Sequence, residues 1–145
     1  MTASQNCINI IKMFEGYKAK AYICPAGKVT IGWGSLFYTD ESKVKMGDTI
    51  NEQQATEMLM WELKKKSVCL QGLNLNQNQF DSCLSFVYNC GVTAFNQSRL
   101  KRKIIANPND VSIRSELLRW VNKGSPFEKG LTRRRTAEAD LYFKK

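Results

Sequence analysis

Strand and turn signals are concentrated in one short stretch near the N-terminus, and this uneven distribution limits the folds open to the chain. The stretch is AYICPAGKVTIGWGSLFY, in which Tyr22 and Ile23 precede the turn signal Pro25-Ala26-Gly27 and the run 29–31 follows it. From Gln77 to the end, the sequence reads almost entirely as helix. The pattern predicts an α+β fold that is mainly helical and has one small β-hairpin.

Helix signals stand on both sides of the hairpin stretch. Ser4 can cap a first helix, which should end at Gly16. Asn51 can cap a second helix, because Gln54 stands three residues later in the pattern of a capping box. We expect one domain over residues 1–145, made of a small lobe at about 12–50, a long bridging helix at about 51–70 and a helical lobe at about 76–145.

The composition is that of a globular protein, with 43% hydrophobic and 24% charged residues. No apolar run approaches the roughly 18 residues that a transmembrane helix needs, so we expect no stable membrane insertion. The N-terminus has no basic segment followed by an apolar stretch, and we therefore expect no signal peptide.

The residue types exclude several kinds of site. The chain has no histidine, which excludes Ser-His-Asp triads and histidine-ligated zinc. Its five cysteines are an odd number and form no CxxC pair, so neither a disulfide framework nor a structural zinc site is indicated. We expect no metal and no cofactor, and acid–base chemistry has to come from Glu, Asp, Cys, Lys or Tyr.

The net charge of +9 is unevenly distributed: residues 1–75 carry +2 and residues 76–145 carry +7. A basic half of this kind favours an anionic polymer as the partner, whether nucleic acid, a lipid surface or a bacterial cell envelope. Charge alone does not choose among the three.

One group of residues near the hairpin could carry chemistry. Glu15 lies at the end of the first predicted helix, and Cys24 and Thr30 stand on either side of the predicted turn. This layout can bring a carboxyl, a thiol and a hydroxyl to one wall of a cleft. The spacing by itself fits equally an exposed glutamate, a packed cysteine and a strand threonine.

A family resemblance favours the chemical interpretation. MFEGYKAKAYICPAGKVTIGWG resembles the active-site segment of phage-type lysozymes, glycoside hydrolase family 24, whose pattern is Glu, eight residues, Asp or sometimes Cys, five residues, Thr. Glu15, Cys24 and Thr30 fit that pattern without a gap. FDSCLSFVYNCGVTAFNQSRL and GLTRRRTAEADL are similar to the central-helix and C-terminal segments of the family, so the resemblance covers essentially the whole chain. It implies a lysozyme-like fold.

The resemblance implies hydrolysis of the β-1,4 bond between N-acetylmuramic acid and N-acetylglucosamine in peptidoglycan. Glu15 would be the general acid, and partial burial should raise its pKa above the usual ~4.3. The family places an arginine near this acid to orient it. Arg134 is the best match for that role, and Arg133 and Arg135 remain alternatives.

Cys24 stands where aspartate is commoner in the family, and Lys20 and Lys28 are near enough in sequence to lower its pKa. Its thiolate could activate water, attack the sugar or take no part. The resemblance favours activation of a water molecule that Thr30 holds.

Two further residues are candidates for substrate binding. Asn89 could hydrogen-bond a sugar acetamido group or cap the helix end before Gly91. Gly32 would serve backbone geometry and allow close approach of a glycan chain.

The resemblance also implies a biological setting, that of a monomeric endolysin. The protein would accumulate in the host bacterial cytoplasm and reach the cell wall with the help of a holin. Two alternatives remain: a lytic transglycosylase that gives 1,6-anhydro products, and a non-catalytic basic protein that binds an anionic polymer. No nucleic-acid-binding motif is visible, so nucleic acid is not an expected partner.

Overall fold

The computed structural model describes all 145 residues, and they form two compact units. The small unit comprises Ile11–Lys65, and the helical unit comprises Met1–Ile10 together with Lys66–Lys145. The elements in chain order are α1 Gln5–Glu15, β1 Lys18–Ile23, β2 Val29–Gly32, α2 Glu52–Lys66, α3 Gln77–Cys90, α4 Val92–Gln97, α5 Arg99–Ala106, α6 Ile113–Leu117 and α7 Glu128–Tyr142. None of the helices is long and apolar enough to cross a membrane.

The predicted α+β class is confirmed, since the only sheet is a two-stranded antiparallel hairpin and most of the chain is helical. The predicted capping box is also present: the Gln54 amide donates to Asn51 Oδ1 at 2.8 Å, and the Asn51 amide donates to Gln54 Oε1 at 2.9 Å. Helix α2 ends as an α-helix at Lys66, and the chain continues as a 3-10 helix over Ser67–Leu70.

The small unit is organised around the hairpin. Tyr22 pairs with Thr30 across the two strands, and Ile23 pairs with Val29. Ile31 on β2 is fully buried in an apolar cluster with Val44 and Met58. One side of β2 is therefore fixed in the core, and this fixes the register of the hairpin.

The helical unit is built on α3 and α7, which pack against each other. Asn76 and Gln79 form a second capping box at the start of α3, and nearly the whole of the helix is buried. Phe86 from α3 makes edge-to-face contacts with the rings of Phe95 and Trp120.

Gly32, at the end of β2, has a left-handed backbone with φ of +65°, and a methyl group there would lie 3.0 Å from Ala55 Cβ and 3.1 Å from Ile50 Cδ1. Replacing Gly32 by alanine should therefore combine backbone strain with overpacking. We expect a loss of about 1–3 kcal/mol in the free energy of unfolding, measured by urea denaturation.

The matched control is Gly27→Ala in the hairpin turn. Gly27 has φ of +80°, but no atom lies within 4 Å of an added methyl group. This variant carries the backbone strain without the clash, and it should be destabilised by only about 1 kcal/mol. Equal losses in the two variants would show that packing around Gly32 contributes nothing.

Candidate active site

Glu15 is the last residue of α1, and it is half-buried. Gly16 follows with φ of +72°, and its amide donates to the Lys12 carbonyl at 3.0 Å, which closes the helix. A glycine is favoured here because the left-handed conformation costs other residues energy. The main chain therefore turns into the hairpin directly after Glu15.

Aromatic packing holds this end of α1 in the small unit. The Lys12 ammonium lies 5.0 Å from the centre of the Trp33 ring, and the Tyr17 ring lies 5.3 Å from it. Trp33 is itself buried, and its indole N–H donates to Thr56 Oγ1 at 3.3 Å. Glu15 thus extends from a backbone that is fixed on both sides.

Cys24 and Thr30 lie together at the turn end of the hairpin. The Cys24 amide donates to the Lys28 carbonyl at 2.9 Å, which closes the turn between the strands. Thr30 is buried, whereas Cys24 is partly exposed. A solvent-accessible sulfur therefore stands beside a fixed hydroxyl group.

The pKa of the Cys24 thiol lies below its usual value. A hydrogen bond from the Thr30 hydroxyl is the main cause, and a hydrogen bond from the main-chain amide of Lys28 adds to it. Lys28 therefore acts through its backbone rather than through its side-chain charge, and Lys20 is not among the causes. Both hydrogen bonds stabilise the thiolate more than the thiol.

The Thr30 hydroxyl can switch between two acceptors. It donates to the Lys28 carbonyl at 3.0 Å. A hydroxyl has one proton, so it cannot donate to that carbonyl and to a thiolate at the same time. The Thr30 O–H can point at the Lys28 carbonyl while Cys24 is a thiol and rotate toward the sulfur when the thiolate forms.

Tyr22 joins this group, although sequence reasoning did not select it. Burial raises the pKa of its phenol, and the charges of Glu15 and Cys24 raise it further. Tyr22 therefore lies close to both groups and stays protonated beside them. We call Glu15, Tyr22, Cys24 and Thr30 the acid–thiol cluster. The cross-strand pairing of Tyr22 with Thr30 was the signal that could have revealed it, because paired residues share a face of a hairpin.

The remaining cysteines have a different character. All five are free, and burial raises the pKa of each of the other four, Cys7, Cys69, Cys83 and Cys90. Since thiolates and not thiols react with alkylating agents, Cys24 should be the most reactive of the five.

Limited treatment of the folded protein with iodoacetamide at neutral pH is therefore expected to modify Cys24 first. Peptide mass spectrometry should find Cys69 and Cys90 modified later, and Cys7 and Cys83 modified only after unfolding. Modification of Cys69 or Cys90 before Cys24 would contradict the lowered pKa of the Cys24 thiol.

The arginines expected from the sequence differ in their surroundings. Arg133 is exposed, whereas Arg134 and Arg135 are buried beside Glu138. Arg134 Nε lies 3.4 Å from Glu138 Oε2, and its Nη2 donates to the Ser85 carbonyl at 3.2 Å. Both buried guanidinium groups are thus fixed in the helical unit, and the expected role of Arg134 toward Glu15 stays a prediction.

Asn89 is exposed and is held by Arg135. Its Oδ1 accepts a hydrogen bond from Arg135 Nη2, while Arg135 Nε donates to the Trp120 carbonyl at 3.0 Å. The end of α3 is closed separately by the amide of Gly91, which donates to the Val87 carbonyl at 2.8 Å. Asn89 Oδ1 also accepts from Cys90 Sγ at 3.7 Å, so the amide N–H groups of Asn89 are what it can offer to another molecule.

The sequence and the fold of the chain are similar to those of known proteins. The family model described as phage lysozyme matches residues 12–138. The endolysin of Acyrthosiphon pisum secondary endosymbiont phage 1 is 36% identical over 98% of both chains. The endolysin of Bacillus phage B103 is 34% identical over 98% of this chain, which spans only 54% of that relative.

A solved structure, the endolysin from Escherichia coli O157:H7 phage FAHEc1, superimposes with a TM-score of 0.88 at 33% identity. The match covers 99% of this chain and 94% of the other. The resemblance noted in the sequence is thereby confirmed, and the chain belongs to the phage lysozyme family.

Proposed function

We propose that this chain is an endolysin that cleaves the β-1,4 bond between N-acetylmuramic acid and N-acetylglucosamine. Membership of the phage lysozyme family makes it a peptidoglycan-hydrolysing lysozyme. The single observation that supports the detailed proposal is the acid–thiol cluster, in which Tyr22 interacts with both Glu15 and Cys24 and hydrogen bonds lower the pKa of the Cys24 thiol.

Glu15 is the proton donor in this proposal. Cleavage of a glycosidic bond requires a proton on the leaving oxygen, because the departing sugar would otherwise leave as an alkoxide. The fixed end of α1 supports this role, since it holds the carboxyl group in one place. The protonated phenol of Tyr22 adds a neutral hydrogen-bond donor next to it.

Cys24 takes the second role, which an aspartate more often fills. Its thiolate accepts a proton from a water molecule, and the oxygen of that water forms the new bond to the anomeric carbon. Glu15 gives its own proton to the leaving oxygen in the same step, so the protons balance. Thr30 holds the water or the thiolate, and the anomeric configuration is inverted.

The activity of Cys24 variants should depend on whether the new side chain can act as a base. We expect Cys24→Asp to retain activity, because a carboxylate can also accept the proton from water. Cys24→Ala and Cys24→Ser should each lower the rate of peptidoglycan clearing by about a hundredfold, since neither residue supplies a base. In the wild type the rate should fall as the pH drops below the pKa of the thiol, and Cys24→Asp should move this fall to lower pH.

Cys69→Ala is the matched control, because it removes another half-buried thiol in the helical unit. It should clear peptidoglycan at the wild-type rate. A fully active Cys24→Ala variant would end the proposal that Cys24 takes part in the reaction.

Asn89 completes the proposed contacts with substrate. Its N–H groups suit the carbonyl oxygen of an acetamido group, because its amide oxygen already accepts from Arg135 Nη2 and Cys90 Sγ. Gly32 keeps a role in backbone geometry alone, because a side chain there would meet Ala55 and Ile50 rather than a glycan chain.

The products that the protein releases from purified peptidoglycan test the type of reaction. Hydrolysis leaves reducing N-acetylmuramic acid ends, whereas a lytic transglycosylase leaves 1,6-anhydro ends that are lighter by one water molecule. Mass spectrometry of the digest should find only reducing ends. A digest dominated by 1,6-anhydro products would replace the proposed hydrolysis by transglycosylation, and no release of sugar fragments would favour a non-catalytic binding protein.

The setting of the reaction is also a proposal. The protein would act as a monomer and a single catalytic domain over residues 1–145, accumulate in the bacterial cytoplasm and meet the wall after a holin opens the membrane. Expression in bacteria without a holin should leave cells intact, and permeabilising their membrane should trigger lysis. Lysis without any permeabilisation would contradict the need for such a partner.

A further inference from the structure

A groove of about 580 Å³ lies on the surface of the helical unit. We call it the arginine groove, after Arg99, Arg102 and Arg119 in its lining, which also includes Glu116 and Trp120. All of these residues belong to the stretch from the start of α5 to just beyond α6. None of them is a member of the acid–thiol cluster.

The charges in the arginine groove do not cancel. Glu116 is its only carboxylate, and its Oε2 lies 3.2 Å from Arg119 Nε. The Glu116 side chain is 7% exposed, whereas that of Arg119 is 60% exposed. The carboxylate therefore anchors Arg119 from the protein side and leaves most of the guanidinium accessible. With Arg99 and Arg102 the lining carries two positive charges in excess.

Arg102, Arg119 and Trp120 each have a partner within the protein. Arg102 Nη1 lies 3.4 Å from the Gln97 carbonyl. The Trp120 ring packs edge-to-face on Phe86, with centroids 5.4 Å apart. A ligand would find these groups already oriented, so less conformational entropy is lost on binding.

The chemistry of these groups points to one class of ligand. Guanidinium groups bind phosphate oxygens with paired hydrogen bonds, and a fixed indole ring offers an apolar surface to a sugar ring. We propose that the arginine groove binds a phosphate-bearing glycan chain of the bacterial envelope. The site is separate from hydrolysis, because the glycosidic bond that is cut carries no phosphate.

The shape of the site favours a chain over a lipid surface. A polymer chain can lie along a concave surface and contact its lining over a longer path than a flat array of headgroups can. The positive charge of residues 76–145 as a whole would attract any polyanion, and the groove adds three guanidinium groups beside an indole ring.

Binding is tested on the intact protein with glucose 1-phosphate as the probe and glucose and glucuronate as comparison sugars. Titration is followed through the indole N–H signal of Trp120 in NMR spectra. We expect a saturable shift with glucose 1-phosphate, at least about fivefold weaker binding of glucuronate and no shift with glucose. Equal binding of glucuronate would overturn the assignment to phosphate, and no shift with any probe would overturn the site.

A charge-matched pair of double variants separates the site from general attraction. Arg99→Gln with Arg102→Gln removes two charges from the groove, and Lys144→Gln with Lys145→Gln removes two exposed charges from the C-terminus. The groove variant should bind glucose 1-phosphate at least about tenfold more weakly, and the control should change by less than about twofold. Equal losses would mean that only net charge matters.

Two further measurements complete the test. Both double variants should release reducing ends from phosphate-free peptidoglycan at the wild-type rate. A lower rate in the groove variant alone would show that the groove belongs to the catalytic machinery instead. Binding to phosphatidylglycerol vesicles should fall equally in the two variants. A selective loss of vesicle binding in the groove variant would identify lipid headgroups as the ligand and overturn the proposal.

Discussion

Replacing Glu138 by alanine is expected to lower the free energy of unfolding by about 3–5 kcal/mol. Glu138 is fully buried and lies between the guanidinium groups of Arg134 and Arg135. It also accepts a hydrogen bond from Ser85 Oγ at 2.5 Å, while its main-chain carbonyl accepts one from Ser82 Oγ at 2.6 Å. Its removal would leave two buried cations without the carboxylate that balances them.

Asp140→Ala on the same helix is the control for this prediction. Asp140 pairs with Arg114 at 2.9 Å, but its side chain is 65% exposed, so water can replace the lost partner. We expect a loss of less than about 1 kcal/mol. Both variants are compared with the wild type by urea denaturation followed by circular dichroism. Similar losses at the two positions would mean that burial adds nothing to the importance of Glu138.

Glu138→Gln separates charge from packing. Glutamine keeps the shape of the side chain and can still accept from Ser85, but it does not neutralise the arginines. We expect a loss between those of the two alanine variants. A loss as small as that of Asp140→Ala would show that the negative charge itself is dispensable.

Local signals explain why much of the fold could be predicted. The end of α1, the hairpin turn and the start of α2 each depend on residues close in sequence: Gly16, Gly27, and Asn51 with Gln54. Such helix-end and turn signals extend over only three or four residues, so they can be recognised in a single sequence.

Features that depend on residues far apart in the sequence could not be predicted from such local signals. The hydrogen bond from Arg135 to Asn89 joins residues 46 positions apart, and it decides which side of the Asn89 amide is occupied. The change from α-helix to 3-10 helix at Ser67 also has no clear local signal, because the residues before and after it are all compatible with an α-helix.

The candidate site was partly predictable for a chemical reason. Glu15, Cys24 and Thr30 stood out because a carboxyl, a thiol and a hydroxyl flank a turn, and the family pattern gave them roles. Tyr22 did not, since a tyrosine in a strand is ordinary until its neighbours are known. Its position beside Glu15 and Cys24 is a property of the folded hairpin.

The largest effect on activity is expected at Glu15. Glutamine has nearly the same shape as glutamic acid but carries no acidic proton, so Glu15→Gln should leave the fold intact and remove the proton donor. General acid catalysis typically contributes 10²–10⁴-fold, and we expect the rate of peptidoglycan hydrolysis to fall by about a thousandfold. Glu52→Gln is the control, because Glu52 is an exposed acid at the start of α2 in the same small unit.

The decisive measurement is the initial rate at which purified peptidoglycan is cleared. The wild type, Glu15→Gln and Glu52→Gln are compared at equal concentration, and circular dichroism shows whether all three are folded. We expect almost no clearing by Glu15→Gln and wild-type clearing by Glu52→Gln. Undiminished clearing by a folded Glu15→Gln would contradict the assignment of Glu15 as the acid that protonates the leaving sugar.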